Sequence, residues 1–364
     1  MIQVKKFSLF RKAVLLITLH VSLVGCSAAQ EKVDWDTACV GRMQFSAPKL
    51  DEIAVTPDHG GVEYAFSDGL VPYFSSLGYD TGSLRVSQPQ SELALNAMLK
   101  AHTTQRLERS RKDYRNAKSP DGMGYSFEPI QIDMPQTSAW RFYGNRHSIL
   151  TAKGNRLLSL TVDTRGDDKG SYSKQITNLV SAFRFRPILD LPKESGVCLP
   201  YAFVKDDGTP YRYILMTYRL KEHPDVQIML MDASAARPTP GNRTKNAEPR
   251  PVMNGIWEQH LTTNKDVRSL WLPSTRTVKL AGFNGLESYV EITREDNSID
   301  YGYLAVVRGN PDATEDTPDL RLFIIRDAAT AKAKGKEPIS KEAFLELAET
   351  VASSVRRRSV ENTK

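Results

Sequence analysis

Ser195-Gly196-Val197-Cys198-Leu199-Pro200-Tyr201-Ala202-Phe203 has a counterpart far upstream, Thr37-Ala38-Cys39-Val40-Gly41-Arg42-Met43-Gln44-Phe45. In each, a cysteine leads into a short run that reads as a strand. The stretches that follow also close alike. Leu157–Val162 reads as a strand and Tyr172–Arg186 as a helix ending Ser181-Ala182-Phe183-Arg184-Phe185-Arg186; Leu320–Arg326 and Ser340–Arg358 repeat that order and end Ser353-Ser354-Val355-Arg356-Arg357-Arg358. Self-similarity of this kind predicts a diverged duplication. Residues 37–187 form one half and 195–359 the other, joined by a linker over 188–194 that carries Pro192 and lacks helical period, with a tail over 360–364.

Within the first half, Arg42–Ala47 and Gly61–Phe66 read as strands. A helix follows from Ser91-Glu92, with Leu93, Leu95, Met98, Leu99 and Leu107 near helical spacing. Its charged continuation, Lys100–Arg115, reads as a solvated face. Tyr125–Ile132, Trp140–Tyr143, Ser148–Thr151 and Leu157–Val162 are the next strands, with Gly144-Asn145 and Gly154-Asn155 as turns. In the second half Tyr211–Leu220 and Val226–Met231 flank the turn Lys221-Glu222-His223-Pro224-Asp225, and Arg237–Pro251, with four prolines, reads as a loop. Thr277–Phe283, Glu287–Thr293, Tyr301–Val307 and Leu320–Arg326 follow as strands, and Asn284-Gly285 gives the strongest hairpin signal in the chain. Phe344, Leu347, Val351 and Val355 place one apolar face on the last helix. The expected class is α+β: two similar domains, each an antiparallel sheet with helices packed on one face.

The start of the chain concerns destination. Lys5, Lys6, Arg11 and Lys12 precede the mostly apolar Ala13–Val24, which has the length of a secretory segment and not of a membrane span. Residues 1–25 therefore read as a signal peptide. The run ends Leu23-Val24-Gly25-Cys26 and resembles the lipobox of bacterial lipoproteins. That resemblance implies an acylated Cys26 at the head of a tether over 26–36, and Ser27 favours the outer membrane. An ordinary cut near Ala28-Ala29 is the alternative. Of the formal net charge of +6 on 364 residues, four positive charges belong to the signal, which removes the reason to expect a nucleic-acid partner. Cys39 and Cys198 remain. In an exported protein they are either bridged or two buried thiols, and spacing does not decide between these.

Chemistry-bearing patterns are sparse. There is no Gly-x-Ser-x-Gly, no His-Glu-x-x-His and no Cys-x-x-Cys. His59, His102, His147, His223 and His260 stand at no ligand spacing, Asp167-Asp168 lacks the regular oxygen ligands of a calcium loop, and Glu295-Asp296 defines no carboxylate pair. The expectation is no catalysis, no metal and no cofactor. Aromatics are more suggestive: Tyr73, Phe74 and Tyr79 crowd one Gly/Pro-broken stretch, and Tyr289, Tyr301 and Tyr303 recur in the second half. They are candidate partner contacts, against the alternative that they pack on their own sheet.

With these residues laid out, positions 37–358 resemble the lipoprotein immunity proteins that accompany type VI secretion lipase effectors. The resemblance lies in Cys39-Val40-Gly41-Arg42, Gly196-Val197-Cys198-Leu199, His223-Pro224-Asp225, Gly282-Phe283-Asn284-Gly285-Leu286-Glu287 and Ser354-Val355-Arg356, and in their order. It implies a two-domain periplasmic binder without catalysis, held to the membrane through acylated Cys26. Such a binder occludes a cognate phospholipase effector and protects the producing cell. Contact residues are specific to each pair, and none carries over. An envelope-assembly or structural outer-membrane lipoprotein is the competing expectation. One departure stands out: Pro200-Tyr201 follows Cys198-Leu199 where a glycine is expected.

Overall fold

The computed structural model describes residues 34–55, 64–72, 76–79, 82–116, 127–130, 132, 135–142, 146–163, 176–236 and 248–361, so Cys26, His59, Tyr73, Phe74, Gly144-Asn145 and Asp167-Asp168 lie outside the described residues. The first half contains β1 (Trp35–Val40), β2 (Met43–Pro48), β3 (Leu50–Ile53), β4 (Ser76–Tyr79), β5 (Gly82–Val86), α1 (Glu92–Asn116), β6 (Phe127–Pro129), β7 (Thr137–Phe142), β8 (Arg146–Lys153), β9 (Arg156–Asp163), a helical stretch α2 (176–181) and β10 (Phe183–Phe185). The second half contains β11 (Gly196–Leu199), β12 (Ala202–Lys205), β13 (Arg212–Leu220), β14 (Val226–Ala233), α3 (Pro249–Leu261), β15 (Asp266–Ser269), β16 (Arg276–Leu280), β17 (Phe283–Thr293), β18 (Ile299–Val307), β19 (Asp319–Arg326), α4 (Ala328–Ala333), α5 (Lys341–Ser354) and β20 (Arg356–Arg357). The α+β class holds, with antiparallel pairing throughout the described ladders.

One sheet runs through both halves, in the order β15-β17-β18-β19-β14-β13-β4-β5-β9-β8-β7-β6, with β16 beside β17 and β3 beside β13. Its central strands are buried and largely apolar on both sides. On β18, Tyr303, Ala305 and Val307 join one core while Leu304 and Val306 join another. A sheet apolar on both faces needs two covers. Phe344, Leu347 and Val351 of α5 supply one, and Met253 and Ile256 of α3 the other. In the first half Leu95 of α1 packs on Leu150, Ala152 and Leu157, while Ile176 and Val180 of α2 lie with Ile149, Leu158 and Leu160. Helices therefore cover both faces, and not one as expected.

Three local expectations also change. Of Gly61–Phe66, only residues 64–66 are described, and there Ala65 makes a single bridge to Val55. The proline-rich loop ends early, since α3 begins at Pro249. Pro249 and Pro251 sit in its first turn, where a missing N–H costs nothing. The hairpin predicted at Asn284-Gly285 exists, but its turn is Ala281-Gly282, with φ of 53° and 86°, and Leu280 pairs with Phe283. Gly285 lies inside β17. A Cβ there would stand 2.3 Å from the Val306 carbonyl, so this glycine serves the close approach of β18 and not a turn.

Both closing helices are shorter than expected. Each gives way to a short strand: Phe183–Phe185, whose Phe-Arg-Phe alternates with period two, and Arg356–Arg357. Those strands are exchanged: β10, from the first half, pairs with β12, and β20, from the second, pairs with β2. Each half thus completes the other's opening hairpin, and pairing crosses the 188–194 linker. Cys39 and Cys198 are bridged, their Cα atoms 5.8 Å apart, and Gly41 and Cys198 exchange backbone hydrogen bonds of 2.9 and 2.7 Å. The arginine after each closing strand grips this junction. Arg186 lies within hydrogen-bond distance of the carbonyls of Cys39, Leu199, Ala202, Pro187, Ile188 and Asp190, and Arg358 donates to those of Pro192, Glu194 and Gly196.

Candidate interaction surface

At one end of the shared sheet, β15 and β16 lie along β17. Ser269 pairs with Val290 and Arg276 with Glu287, so residues 270–275 stand opposite Ser288 and Tyr289 alone. Four residues more than the ladder can hold must leave it, as in an extended bulge. Leu270 keeps one ladder bond, donating to the Tyr289 carbonyl at 2.9 Å. Trp271 then turns inward and is buried, while Leu272 points out and is 98% exposed.

The inward turn has a built socket. The Trp271 ring lies 6.0 Å from Tyr289 and 6.4 Å from Tyr303, and Tyr289 and Tyr301 in turn contact Phe344 of α5 at 6.1 and 6.3 Å. The Arg276 guanidinium closes over the indole at 4.1 Å. Ser269 Oγ donates to the Trp271 carbonyl at 3.0 Å and accepts from its N–H at 3.3 Å. Tyr289 donates to the Lys341 carbonyl at 3.1 Å, and Tyr303 donates to the Glu287 carboxylate. Burial pushes the Tyr303 hydroxyl above the usual tyrosine range and the bond to Glu287 adds to it; burial likewise raises the Glu287 carboxyl and the Tyr289 and Tyr301 hydroxyls. The loop therefore rests on a desolvated aromatic floor.

Three of the six aromatics singled out in the sequence, Tyr289, Tyr301 and Tyr303, are brought together here. Tyr289 and Tyr303 are buried and Tyr301 half-buried, so they support a surface and do not form it. Tyr79 is also buried and donates to Asp206 at 3.0 Å. Sequence reasoning passed over Trp271 and Leu272. The signal available was Trp-Leu-Pro standing alone in a polar stretch, with no period to mark it.

The remaining polar groups are structural in placement. Buried His147 and His260 lie within packed elements, and burial, with Arg294 nearby, lowers the His260 pKa to about 4. Under the first hairpin, Asp232 accepts from the Arg42 backbone N–H at 2.6 Å and from Arg212 Nε at 2.8 Å, and Arg212 reaches both oxygens of Asp316 at 3.1 and 2.9 Å. Among the described residues no group of three or more His, Cys, Asp or Glu side chains is placed to hold a metal ion, and no helix is long and apolar enough to cross a membrane. The arrangement suits recognition by a preformed surface.

Residues 190–360 match the family model described as the Tle cognate immunity protein 4 C-terminal domain. The family recognised from the sequence motifs is thus the one matched over the second half. No curated protein matches the chain. Among solved structures, the chain is similar to the immunity protein TplEi of the type VI secretion system from Pseudomonas aeruginosa, complexed with an "L" peptide. That likeness has 14% identity and a TM-score of 0.56, covering 91% of this chain and 100% of that one. It is also similar to a chain of the Tle4–Tli4 complex, at 16% identity and a TM-score of 0.55, covering 90% of this chain and 98% of the other. At such identities the likeness shows the fold, and it extends over both halves.

Proposed function

We propose, from the family match over residues 190–360, that this chain is an immunity protein that binds and neutralises a type VI secretion lipase effector by stoichiometric contact, without catalysis of its own. The similar solved structures, one complexed with a peptide and one a Tle4–Tli4 complex, support a partner-binding role. So does the construction of the surface. Loops fixed by buried rings and by a disulfide between the halves lose little freedom on binding, which favours tight association. The signal peptide and Leu23-Val24-Gly25-Cys26 support a periplasmic chain acylated at Cys26 and retained at the outer membrane, beside the phospholipid such an effector attacks.

The test is protection. Periplasmic expression of its cognate type VI lipase effector should lyse cells that lack the protein and spare cells that make it. The two purified proteins should also form a stable one-to-one complex without phospholipase activity. An active lipase in the presence of excess protein would overturn the proposal. A Cys26→Ala form separates anchoring from binding: it should lose acylation and membrane retention while the purified complex still forms.

A further inference from the structure

We infer that Leu272 is an apolar plug, the tip of the 270–275 loop, which enters the acyl-chain cleft of the lipase. The inference rests on the immunity reading above and names the contact through which it acts.

A single exposed leucine ordinarily needs no explanation. Leu93, 82% exposed in the first turn of α1, is of that kind. What separates Leu272 is the construction beneath it. The sheet gives up ladder positions to eject four residues. Trp271 is driven into a ring-lined socket beside it, Ser269 ties the turn, and Arg276 lies over the indole. The leucine is thereby held out in water by a fixed loop. Protection of an edge strand from pairing with another chain would explain the bulge. That purpose is served by a polar or charged residue at position 272, and a leucine works against it.

The occupant follows from the size of the tip. Leu272 and Pro273 expose far less than the roughly 1,200–2,000 Å² that a stable protein–protein interface buries, which disfavours a second copy of this chain. One leucine also offers less apolar contact than a single acyl chain, which by itself holds a protein to a bilayer only marginally. A lone apolar side chain contributes strongly when it fills a preformed slot at the centre of a larger contact. A lipase must possess such a slot, because its substrate's acyl chains are apolar and must be held while the ester is cut.

The experiment compares the full chain with its Leu272→Asp and Leu272→Ser variants against the cognate lipase. Because the side chain lies in water, both variants should keep the wild-type unfolding temperature. They should inhibit at least tenfold less well. A saturating non-hydrolysable phospholipid analogue in the lipase should weaken binding of the wild type and leave the weaker binding of Leu272→Asp unchanged. Full inhibition by Leu272→Asp, or equal competition by the analogue against both forms, overturns the plug while the immunity reading stands. So does a Leu272-dependent self-association, or Leu272-dependent binding to phosphatidylethanolamine–phosphatidylglycerol vesicles, with inhibition kept. A wild-type chain that leaves the lipase active overturns the immunity reading and the plug together.

Discussion

The hairpins β1–β2 and β11–β12 occupy the same place in their halves and meet across the Cys39–Cys198 bridge, yet they turn by opposite routes. In the first, Gly41 takes a left-handed φ of 57° at the first central position, before Arg42. In the second that position is Pro200, whose ring fixes φ near −65°, so the left-handed residue moves one place on, to Tyr201 at 52°. The glycine has a second task. A Cβ on Gly41 would stand 2.3 Å from Asp232 Oδ2, the oxygen that holds the Arg42 N–H and Arg212. At Tyr201 the neighbour is a cation, with Arg156 lying 3.7 Å over its ring. A turn that recurs in both halves thus keeps its place in the fold while the residue carrying the strain differs with what packs on it.

The largest test removes the tie between the hairpins. The bridge closes a loop of 159 residues. On the chain-entropy model its loss stabilises the unfolded state by about 5 kcal/mol. The Cys39→Ala, Cys198→Ala double variant should therefore unfold at much lower denaturant, with the midpoint of urea unfolding as the measurement. A midpoint shift below a third of that size would mean that strand exchange alone holds the halves together.

Gly41→Ala is the next in size. It combines a left-handed alanine, at about 1 kcal/mol, with displacement of a buried paired carboxylate, for which breaking the pair costs about 3 kcal/mol or more. A drop of about 4 kcal/mol in urea unfolding is expected. Wild-type stability would show that Asp232 moves aside freely and that the two turns differ in sequence only.

The closing arginines rank below. Arg186 is satisfied by six carbonyls and Arg358 by three; burial, followed by the charge of Arg186, lowers the Arg358 pKa to about 10. Unpairing buried carbonyls costs on the order of 1–3 kcal/mol, so Arg186→Met should lose about 3 kcal/mol and Arg358→Met measurably less. Equal losses would mean that the exchanged strands carry equal weight whatever their arginines reach.

What the sequence disclosed follows the range of the forces involved. The hairpins, the start of α1 and α5 were legible because their signals are local: Ser91 and Ser340 accept from the N–H groups of Ala94 and Ala343, and the apolar face of α5 repeats within the helix. Strand exchange was not legible, because Phe183–Phe185 and Arg356–Arg357 are defined by partners in the other half. Gly285 carried a true signal with the wrong cause, since a glycine required by a neighbouring strand and one required by a turn look alike in sequence. The tyrosines could be seen to recur, but not which way they face. The 270–275 loop carried Pro273-Ser274 as a bare turn signal and no period, and its form is set by register on β17.

The smallest expected effect is the most discriminating for the comparison. Tyr201→Gly relieves the left-handed strain, a gain of about 1–2 kcal/mol. It also removes a ring that packs under the buried Arg156 guanidinium, worth about 1 kcal/mol, and frees the unfolded chain by a further 0.5–1 kcal/mol or so. These nearly cancel, so unfolding by urea should move by less than about 1 kcal/mol, against the several lost by Gly41→Ala. Arg156 also donates to the Ser87 carbonyl at 2.7 Å, so its place does not depend on Tyr201 alone. A cycle pairing Tyr201→Gly with Arg156→Met should return a coupling of about 1 kcal/mol. If Tyr201→Gly costs as much as Gly41→Ala, the stacked arginine is the main support of the second turn. If it stabilises by the full strain energy, the stacking contributes nothing, and the tyrosine is retained for some purpose other than the turn.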